Sequence, residues 1–289
     1  MSTFSLPARK LRAPLAVCAL AFALHAHAQQ PDTERADPKP QPLWELGVGL
    51  GAARTPAYIG SNETVQRVLP VPYVIYRGDI FRVDQDGVGA RLFRGENWLF
   101  DLGFAAGLDG NNQDLIARAG MSKLGPTFEV GPRFRWFIAK PAQGSLISLN
   151  VPLRGVVEIN GGLKSRGVVL EPTLRYDNDH LFAGIGLVAQ AGVLVGDQKI
   201  NVHYYSVGSE FATSARPAYA AKSGLMATKL SAVLYKEINP ELSVAVFARY
   251  DGSGNAANAA SPLHFKSSAI TFGLGATYSF MKSSEMVKR

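Results

Sequence analysis

The chain has 289 residues, of which 47% are hydrophobic and 18% charged, with one cysteine, Cys18, and a formal net charge of +7. Arg9, Lys10 and Arg12 lie at the start, and without these three the 30 basic residues become 27 against 23 acidic ones, a net charge of +4. The remaining excess is spread along the chain, whereas nucleic-acid-binding proteins concentrate basic residues on one face, so that function is excluded.

The first predicted element is a secretory signal peptide over residues 1–28. An apolar run, Ala13 to Leu24, follows the basic residues, and Ala26-His27-Ala28 forms an A-x-A cleavage site. The run is too short to cross a bilayer as a helix; a membrane anchor and a lipoprotein signal at Cys18 are the alternatives. Cleavage near Ala28 leaves no cysteine, hence no disulfide or cysteine-bound zinc. Residues 29–42, polar and proline-rich, are predicted to be a flexible leader.

From Trp44 onward the dominant pattern is an alternation of apolar residues with polar residues or glycine. It is clearest in the segments 44–52, 98–105, 127–138 and 270–280. A β-strand points successive side chains to opposite faces, so each segment has one apolar face and one polar or very small face. The alternation therefore predicts an all-β protein.

The lengths of these segments favour a membrane barrel over a soluble β-sandwich. They run for about ten residues or more, as a tilted membrane-spanning strand requires, whereas soluble strands average nearer six. The non-apolar face, rich in glycine and isolated charges, suits a crowded lumen, and closing the sheet removes edge strands that lipid cannot accommodate. We therefore predict a closed antiparallel transmembrane β-barrel over residues 43–280 in the outer membrane.

Breaks at turn-rich stretches divide the barrel into twelve strands, or ten if the short third and fourth are discounted. The strands are 43–53, 67–76, 80–84, 87–93, 97–107, 126–138, 145–158, 166–177, 181–193, 222–236, 242–251 and 268–280. An even count places both termini on the periplasmic side, so residues 281–289 form a periplasmic tail. Turns 77–79, 94–96, 139–144, 178–180 and 237–241 are then periplasmic, and connections 54–66, 108–125, 159–165, 194–221 and 252–267 lie outside.

Aromatic residues at the periplasmic strand ends predict a girdle at the membrane interface. Its members are Trp44, Tyr76, Trp98, Trp136, Tyr176, Tyr278 and Phe280. Amphipathic rings favour the headgroup level, which explains why all three tryptophans share one rim. Tyr235 also lies at such a strand end but has the inward phase, so we expect a bulge in that strand.

Charged residues of the inward phase balance one another. The basic ones are Arg91, Arg133, Arg135, Arg154, Arg175, Lys229 and Arg249, and the acidic ones are Glu45, Asp101, Glu129, Glu158, Glu171, Asp177 and Asp251. An ion-selective pore would carry an excess of one sign at its constriction. Balanced charges in a narrow barrel pair with each other, so we predict a lumen that is closed or nearly closed, rather than a small channel.

Residues suited to catalysis or metal binding are few. After cleavage the histidines are His180, His203 and His264, and Ser261 near His264 is the one sequence-local pair that a lipid hydrolase could use. The H-E-x-x-H spacing of a zinc site is absent. We therefore expect no enzyme activity, no cofactor and no metal, with a lipid hydrolase as the alternative.

Several short motifs in order along residues 44–280 carry a family resemblance. A P-x-Y-x-G-S segment contains Pro56, Tyr58, Gly60 and Ser61; segments 69–79 and 128–132 follow; then come Tyr204 and Tyr205, next Arg216, Pro217 and Tyr219, and finally Ser261-Pro262. This series resembles the MipA/OmpV family of outer-membrane proteins. The resemblance implies a scaffold that interacts with a lytic murein transglycosylase and a penicillin-binding murein synthase, and it implies no catalytic residues.

Three functions therefore stay open. A scaffold would bind its enzymes through the 29–42 leader, the short turns and the 281–289 tail. A small-solute channel is the second. The third is a surface-binding or adhesion protein that uses loops 54–66 and 194–221, because tyrosine-rich loops suit recognition unless they pack over the barrel mouth. In each case the barrel would contact outer-membrane lipid and lipopolysaccharide.

Overall fold

Nearly all regular structure in the computed structural model is β, across the described residues 40–84, 87–107 and 114–287. The strands are β1 (Gln41–Pro42), β2 (Trp44–Pro56), β3 (Thr64–Arg77), β4 (Phe81–Asp84), β5 (Gly87–Arg94), β6 (Trp98–Ala106), β7 (Thr127–Ala139), β8 (Ser145–Ile159), β9 (Leu163–Leu170), β10 (Thr173–Phe182), β11 (Ile185–Gly196), β12 (Gly224–Glu237), β13 (Leu242–Gly252), β14 (Ser268–Lys282) and β15 (Met286–Val287). In the same residues one α-helix, α1 (Gln198–Tyr205), and two 3-10 turns, Ile116–Arg118 and Ser209–Phe211, lie in the connections.

The strands close into an antiparallel barrel. Each from β2 to β14 pairs with its neighbours, and β14 returns to pair with β2, with Tyr278 opposite Val48. β9 and β10 are two halves of one strand, because β8 and β11 both pair with each of them. The break falls at Pro172, which has no N–H for the ladder. Counting these halves as one gives the twelve strands predicted from the sequence, and the predicted fold is confirmed.

Two predicted connections differ from the structure. The turn expected at 178–180 lies at Ala183-Gly184, so β10 runs on to Phe182 and β11 begins at Ile185. Both turn residues have positive φ, 49° and 71°, as in the two-residue hairpin turns that match strand twist. Alanine rarely adopts that conformation, whereas the polar segment around Asn178 is a common turn signal. The long outer connection expected at 159–165 is a tight turn at 160–162.

The barrel is apolar outside and polar inside. Large apolar side chains such as Val68, Leu230 and Leu274 are more than half exposed, while Asp101, Glu158 and many threonines and serines are buried. This is the reverse of a soluble protein and is the arrangement of a barrel whose outer face contacts lipid. In the part of the chain that the structure describes, no helix has the length and hydropathy to cross a membrane.

Both ends of the barrel segment meet at one rim, which we call the terminus end; the opposite rim is the loop end. The leader was expected to be flexible to residue 42 and the tail to start at residue 281. Instead, Gln41 and Pro42 form β1, which pairs with β15, and β14 continues to Lys282. The cause is proximity: β2 and β14 are neighbours, so the segments beyond them lie side by side. The predicted signal peptide, the leader residues 29–39 and the last two residues lie outside the described residues.

Candidate functional site

The predicted aromatic girdle lies at the terminus end. Trp44 is directly opposite Tyr76, and Trp98 is directly opposite Trp136. Tyr176 of β10 lies opposite Ile147, near the terminus-end start of β8, and Tyr278 and Phe280 lie on the terminus-end half of β14. Tyr76, Trp98, Trp136, Tyr278 and Phe280 are all exposed on the outer face. This arrangement suits the membrane interface on that side.

Tyr235 belongs to the lumen instead of the girdle. Its ring is buried, and its hydroxyl donates to Asp179 Oδ1 at 3.2 Å. The pairing of β12 with β11 is regular beside it, and the bulge expected in this strand occurs elsewhere. The register shifts at the other end of the strand, where Met226 lies between the paired residues Leu225 and Ala227. Alternation alone had therefore placed Tyr235 on the correct face.

Charged side chains inside the barrel are joined in ion pairs. Among the predicted lumen residues, Asp101 pairs with Arg133 and Arg135, Arg154 with Glu129 and Glu171, Lys229 with Glu171, Arg175 with Asp177, and Arg249 with Asp251. Arg91 lies directly opposite Asp101 in the strand pairing. The positive and negative charges of the inner wall thus neutralise one another. The planar guanidinium groups of the arginines suit bidentate contacts with carboxylates.

Glu45 and Glu158 pair with residues that the sequence analysis missed. Glu45 binds Arg77 at 2.6 Å and lies 3.5 Å from Lys282. The sequence had placed Arg77 in a turn and Lys282 beyond the last strand, although both strands extend that far. Glu158 pairs with Arg166. A register shift beside Val156 interrupts the alternation there, so counting inward positions did not find Arg166.

Gly192 allows Lys229 to reach Glu171 across an intervening strand. It lies on β11, directly opposite both Lys229 and Thr173. A Cβ at this position would lie 2.4 Å from the carbonyl oxygen of Pro172. Gly192 thus places no side chain on the strand that lies between Lys229 and Glu171. A series of ion pairs, Glu129–Arg154–Glu171–Lys229, then links β7 to β12 along the inner wall.

The connections at the loop end fold into a cap over the barrel mouth. We define the cap as residues 57–63, 114–126, 197–223 and 253–267. Its apolar core contains Tyr58, Leu124, Ile200, Tyr204 and Tyr205. It also includes inward side chains from four strands, namely Val65 of β3, Val156 of β8, Val169 of β9 and Met226 of β12. Because these strands are distributed around the circumference, the cap spans the mouth.

Buried hydroxyl groups join the loops of the cap to one another. The hydroxyl of Tyr58 donates to the Leu263 carbonyl at 2.7 Å, and that of Tyr205 donates to the Ile59 carbonyl at 3.0 Å. Ser261 Oγ donates to the Tyr205 carbonyl at 2.7 Å. Backbone groups away from water require such partners. Three loops that are distant in sequence are therefore joined through these side chains, in addition to the backbone bonds of Phe265 and Lys266 to the Gly60 carbonyl.

Two arginines and a glutamate hold the remaining loop. Arg118 is buried and donates to the Tyr204 carbonyl at 2.9 Å. Arg216 donates to the carbonyls of Ala117 and Ala119, and Glu63 accepts from the backbone N–H groups of Ile116 and Ala117. Burial lowers the pKa of the Arg118 guanidinium and raises the pKa of Tyr58 to about 12. Residues 114–126 are thus attached to the rest of the cap by two arginines and one glutamate.

The residues of the family motif build the cap. Pro56, Tyr58, Gly60, Ser61, Tyr204 and Tyr205 are buried, Arg216 and Tyr219 are half-buried, and Pro217 is exposed. Tyr219 pairs through its backbone with Val207, and its hydroxyl contacts Asn258 Oδ1 at 3.3 Å. Of the four loop tyrosines considered for surface recognition, three are buried. They pack over the barrel mouth, which the sequence had left open as the alternative to surface recognition.

A buried ionic cluster joins the cap to the wall. His203 of α1 lies with Nε2 3.7 Å from Glu158 Oε1, and Glu158 also accepts from the backbone N–H of Gly125 and from Arg166. Burial lowers the pKa of His203 to about 4, assisted by the positive charges of Arg166 and Arg118 and opposed by Glu158. His203 is therefore neutral at pH 7, and α1 sits on this cluster without adding a charge.

The serine–histidine pair suggested by the sequence does not form. Ser261 is occupied by the Tyr205 carbonyl, and His264 Nε2 instead lies 2.9 Å from Ser253 Oγ. Ser253 is buried and donates to the Lys266 carbonyl. Burial lowers the pKa of His264. The described residues contain no group of three or more His, Cys, Asp or Glu side chains placed to hold a metal ion.

Comparison with known families decides the classification. Residues 48–280, well over half of the chain, match the family described as MltA-interacting protein MipA. The chain belongs to this family. The resemblance inferred from the motifs is confirmed, and the match takes in both the barrel and the cap. No match was found among curated protein sequences.

Solved structures similar to this MipA-family chain are barrels of outer membranes. They include the NanC porin (9% identity, TM-score 0.41, 80% of this chain and 98% of that one). Outer membrane phospholipase A from Escherichia coli has 9% identity and a TM-score of 0.35, over 81% of this chain and 92% of that one. The outer membrane channel DcaP of Acinetobacter baumannii has 12% identity and a TM-score of 0.30, over 86% and 99%. The fold assignment itself rests on the strand pairing.

Proposed function

We propose that this chain is a non-enzymatic outer-membrane scaffold that binds a lytic murein transglycosylase and a penicillin-binding murein synthase. Family membership carries the proposal, because the family description names interaction with MltA, a murein transglycosylase. The barrel supplies an anchor in the membrane, and its partners supply the chemistry. Neither an open lumen nor a catalytic group is needed for this role.

The interior supports a scaffold better than a channel. Ion pairs connect nearby strands along the inner wall, and the cap spans the mouth at the loop end. A solute would have to displace both, and charged pairs in a low-dielectric interior resist separation. Passage is therefore unfavourable in the conformation that the structure describes.

The terminus end is the side on which we place the enzymes. Murein lies in the periplasm, and barrels with an even strand count have both termini there. The predicted signal peptide supports export to that compartment. The pairing of β1 with β15 places residues 41–42 and 286–287 side by side beside the rim, where the leader and the tail continue from them. These two segments form the proposed docking site.

Binding of purified enzymes to the mature chain tests the proposal. The chain is reconstituted in nanodiscs and titrated with a purified MltA-type transglycosylase and, separately, with a penicillin-binding murein synthase. We expect saturable binding that weakens when residues 29–39 or 284–289 are removed. A variant with Lys123→Gln, an exposed substitution in the cap, serves as the control and should bind like the parent chain.

Two outcomes would overturn the proposal. Absence of binding by the intact chain to either enzyme removes the scaffold. Binding that survives both truncations but is lost on cap substitution moves the docking surface to the other end. Retained heat-modifiable mobility in gels shows that each variant has folded.

A further inference from the structure

An apolar groove crosses the lipid-facing surface of strands β10 to β14. Its volume is about 620 Å³. Ala189, Ala232 and Ala248 form its floor, and they lie directly opposite one another on β11, β12 and β13. Larger side chains border it: Leu174, Leu230, Tyr250 and Ile270 are exposed, and Tyr176 is half-buried. Three small residues in one cross-strand row thus leave a trough among bulkier neighbours.

The same cross-strand row ends in an arginine. Ala248 is opposite Phe272 on β14, and Phe272 is opposite Arg54 on β2. Residues directly opposite in a sheet project from the same face, so Arg54 extends from the lipid-facing side. It lies two residues before the loop end of β2 and is exposed. A cation at this height meets the headgroup layer rather than the acyl chains.

A second cation lies beside Arg54. Lys266 is exposed in the cap just before β14, and its backbone N–H donates to the Gly60 carbonyl, which holds it beside the connection that follows β2. Neither side chain has an acidic partner among the described residues. The nearest acid on β13, Asp251, is buried and paired with Arg249. The loop end of this face therefore carries two cations, and Arg54 lies two strands from Ala248 in the cross-strand row that forms the floor of the groove.

We propose that this face binds a phosphorylated glycolipid of the lipid A type. One acyl chain occupies the alanine-floored groove, and a phosphate group contacts Arg54 and Lys266. The acyl chain is then buried against apolar side chains in the membrane core, and the phosphate of the same molecule is attracted to the two cations at the level of the headgroups. The choice of an outer-leaflet lipid rests on the orientation in the proposed function, in which the loop end faces outside.

A second copy of the chain is a less suitable occupant. Copies in one membrane are related by an axis along its normal, so a symmetric contact places the same patch on both sides. Arg54 and Lys266 of each copy would then approach their counterparts at the same height. Like charges at an interface oppose association. An anionic lipid bound at this site instead neutralises the positive charges of Arg54 and Lys266.

Native mass spectrometry of the mature chain measures the interaction. The protein is freed of endogenous lipid and titrated with bisphosphorylated lipid A, with phosphatidylglycerol and with phosphatidylcholine. We expect a one-to-one lipid A complex that is retained in preference to both phospholipids. Arg54→Gln and Lys266→Gln should each weaken binding about fivefold, the effect of one cation near a membrane surface, and the double variant about 25-fold.

Filling the groove tests the acyl-chain contact separately. Ala232→Leu should reduce lipid A retention while leaving both cations in place. Ala106→Leu, an outward substitution on β6 across the barrel, is the matched control and should have no effect. Heat-modifiable gel mobility checks the folding of each variant.

Three results would overturn the lipid site. These are equal retention of lipid A and phosphatidylcholine, unchanged binding by the variants, or a dimer that Ala232→Leu converts to monomer. Preferential retention of phosphatidylglycerol would replace the glycolipid by a phospholipid. None of these measurements involves a murein enzyme, so the lipid site and the scaffold can fail independently. Protease accessibility of the loops on intact cells tests the shared orientation.

Discussion

Gly60 is the residue on which the packing of the first loop depends. Its φ is +88°, and a Cβ there would lie 2.4 Å from Cδ2 of His264. Both the backbone conformation and the close approach of the imidazole require glycine. This gives a physical reason for the glycine in the P-x-Y-x-G-S motif, because from the sequence alone the glycine indicates only a turn.

Gly60→Ala should therefore destabilise the barrel more than the same change at Gly120. Gly120 has a similar φ of +80° but no atom within 4 Å of the added Cβ. Positive φ costs an alanine about 1–2 kcal/mol in both variants, and only Gly60→Ala adds displacement of the His264 ring. Urea unfolding in detergent micelles measures the difference. Equal destabilisation would show that the imidazole moves without cost.

Glu171 is the residue that holds two cations in the lumen. It pairs with both Arg154 and Lys229, and its side chain is 17% exposed. Glu171→Gln leaves Lys229 without its partner, and breaking a buried pair costs about 3 kcal/mol. The double variant Glu171→Gln/Lys229→Met should recover part of this free energy, because it removes the unpaired charge. Glu210→Gln, exposed in the cap, is the control; an equal loss there would contradict the lumen argument.

At the level of elements, the sequence predicted the strands well because membrane barrels repeat one simple pattern. An outward side chain must be apolar and its neighbour must be polar or small, so the alternation runs the length of each strand. The prediction failed where another rule acted. Ala183-Gly184 turns with backbone conformations that alanine seldom adopts, and the register shift beside Val156 takes Arg166 out of the alternation.

The cap could not be predicted in the same way. Its contacts join residues far apart in sequence, such as Tyr58 with Leu263 and Tyr205 with Ile59. No periodicity encodes such contacts. The tyrosines were visible in the sequence, but whether they faced solvent or the mouth depended on loop closure. The motif pointed to the correct residues without indicating that they pack against one another.

The helix α1 should loosen from the barrel wall on acidification. The pKa of His203 is lowered from 6.5 to about 4, chiefly by burial. A lowered histidine pKa means that the folded cap binds fewer protons than the unfolded segment between these values. Cap stability is therefore complete above about pH 6.5 and falls as the pH drops to about 4, by at most about 3 kcal/mol.

Hydrogen exchange of the α1 amides across this pH range measures the effect. We expect protection to decrease toward pH 4 after correction for intrinsic exchange rates. His203→Gln, which cannot be protonated there, should flatten the dependence. His264→Gln is the control for the other cap histidine. A pH dependence that persists in His203→Gln would assign the titration to a different group.

For the whole molecule, two separate features occupy the interior and the mouth of the barrel. The ion pairs link nearby strands along the inner wall, while the cap is a separate layer of loops at one end. The outer surface differs from one side of the barrel to the other, because the apolar groove and the two cations, Arg54 and Lys266, lie on one side. The binding functions proposed above therefore use the terminus end and the outer wall, rather than the lumen.

Conductance in planar bilayers tests the closure of the whole molecule. The intact chain should show no steady current, because both the cap and the ion pairs occupy the path. Replacing residues 199–220 with a short Gly-Ser linker removes α1, Tyr204 and Tyr205, and should raise the current only to small, brief openings, since the ion pairs remain. Adding Glu171→Gln to that variant should increase the current further. Deleting residues 212–215, all exposed in the cap, is the control and should stay silent. A steady current through the intact chain would mean that the lumen is open in the membrane, and the channel would then replace the scaffold as the better account of this barrel.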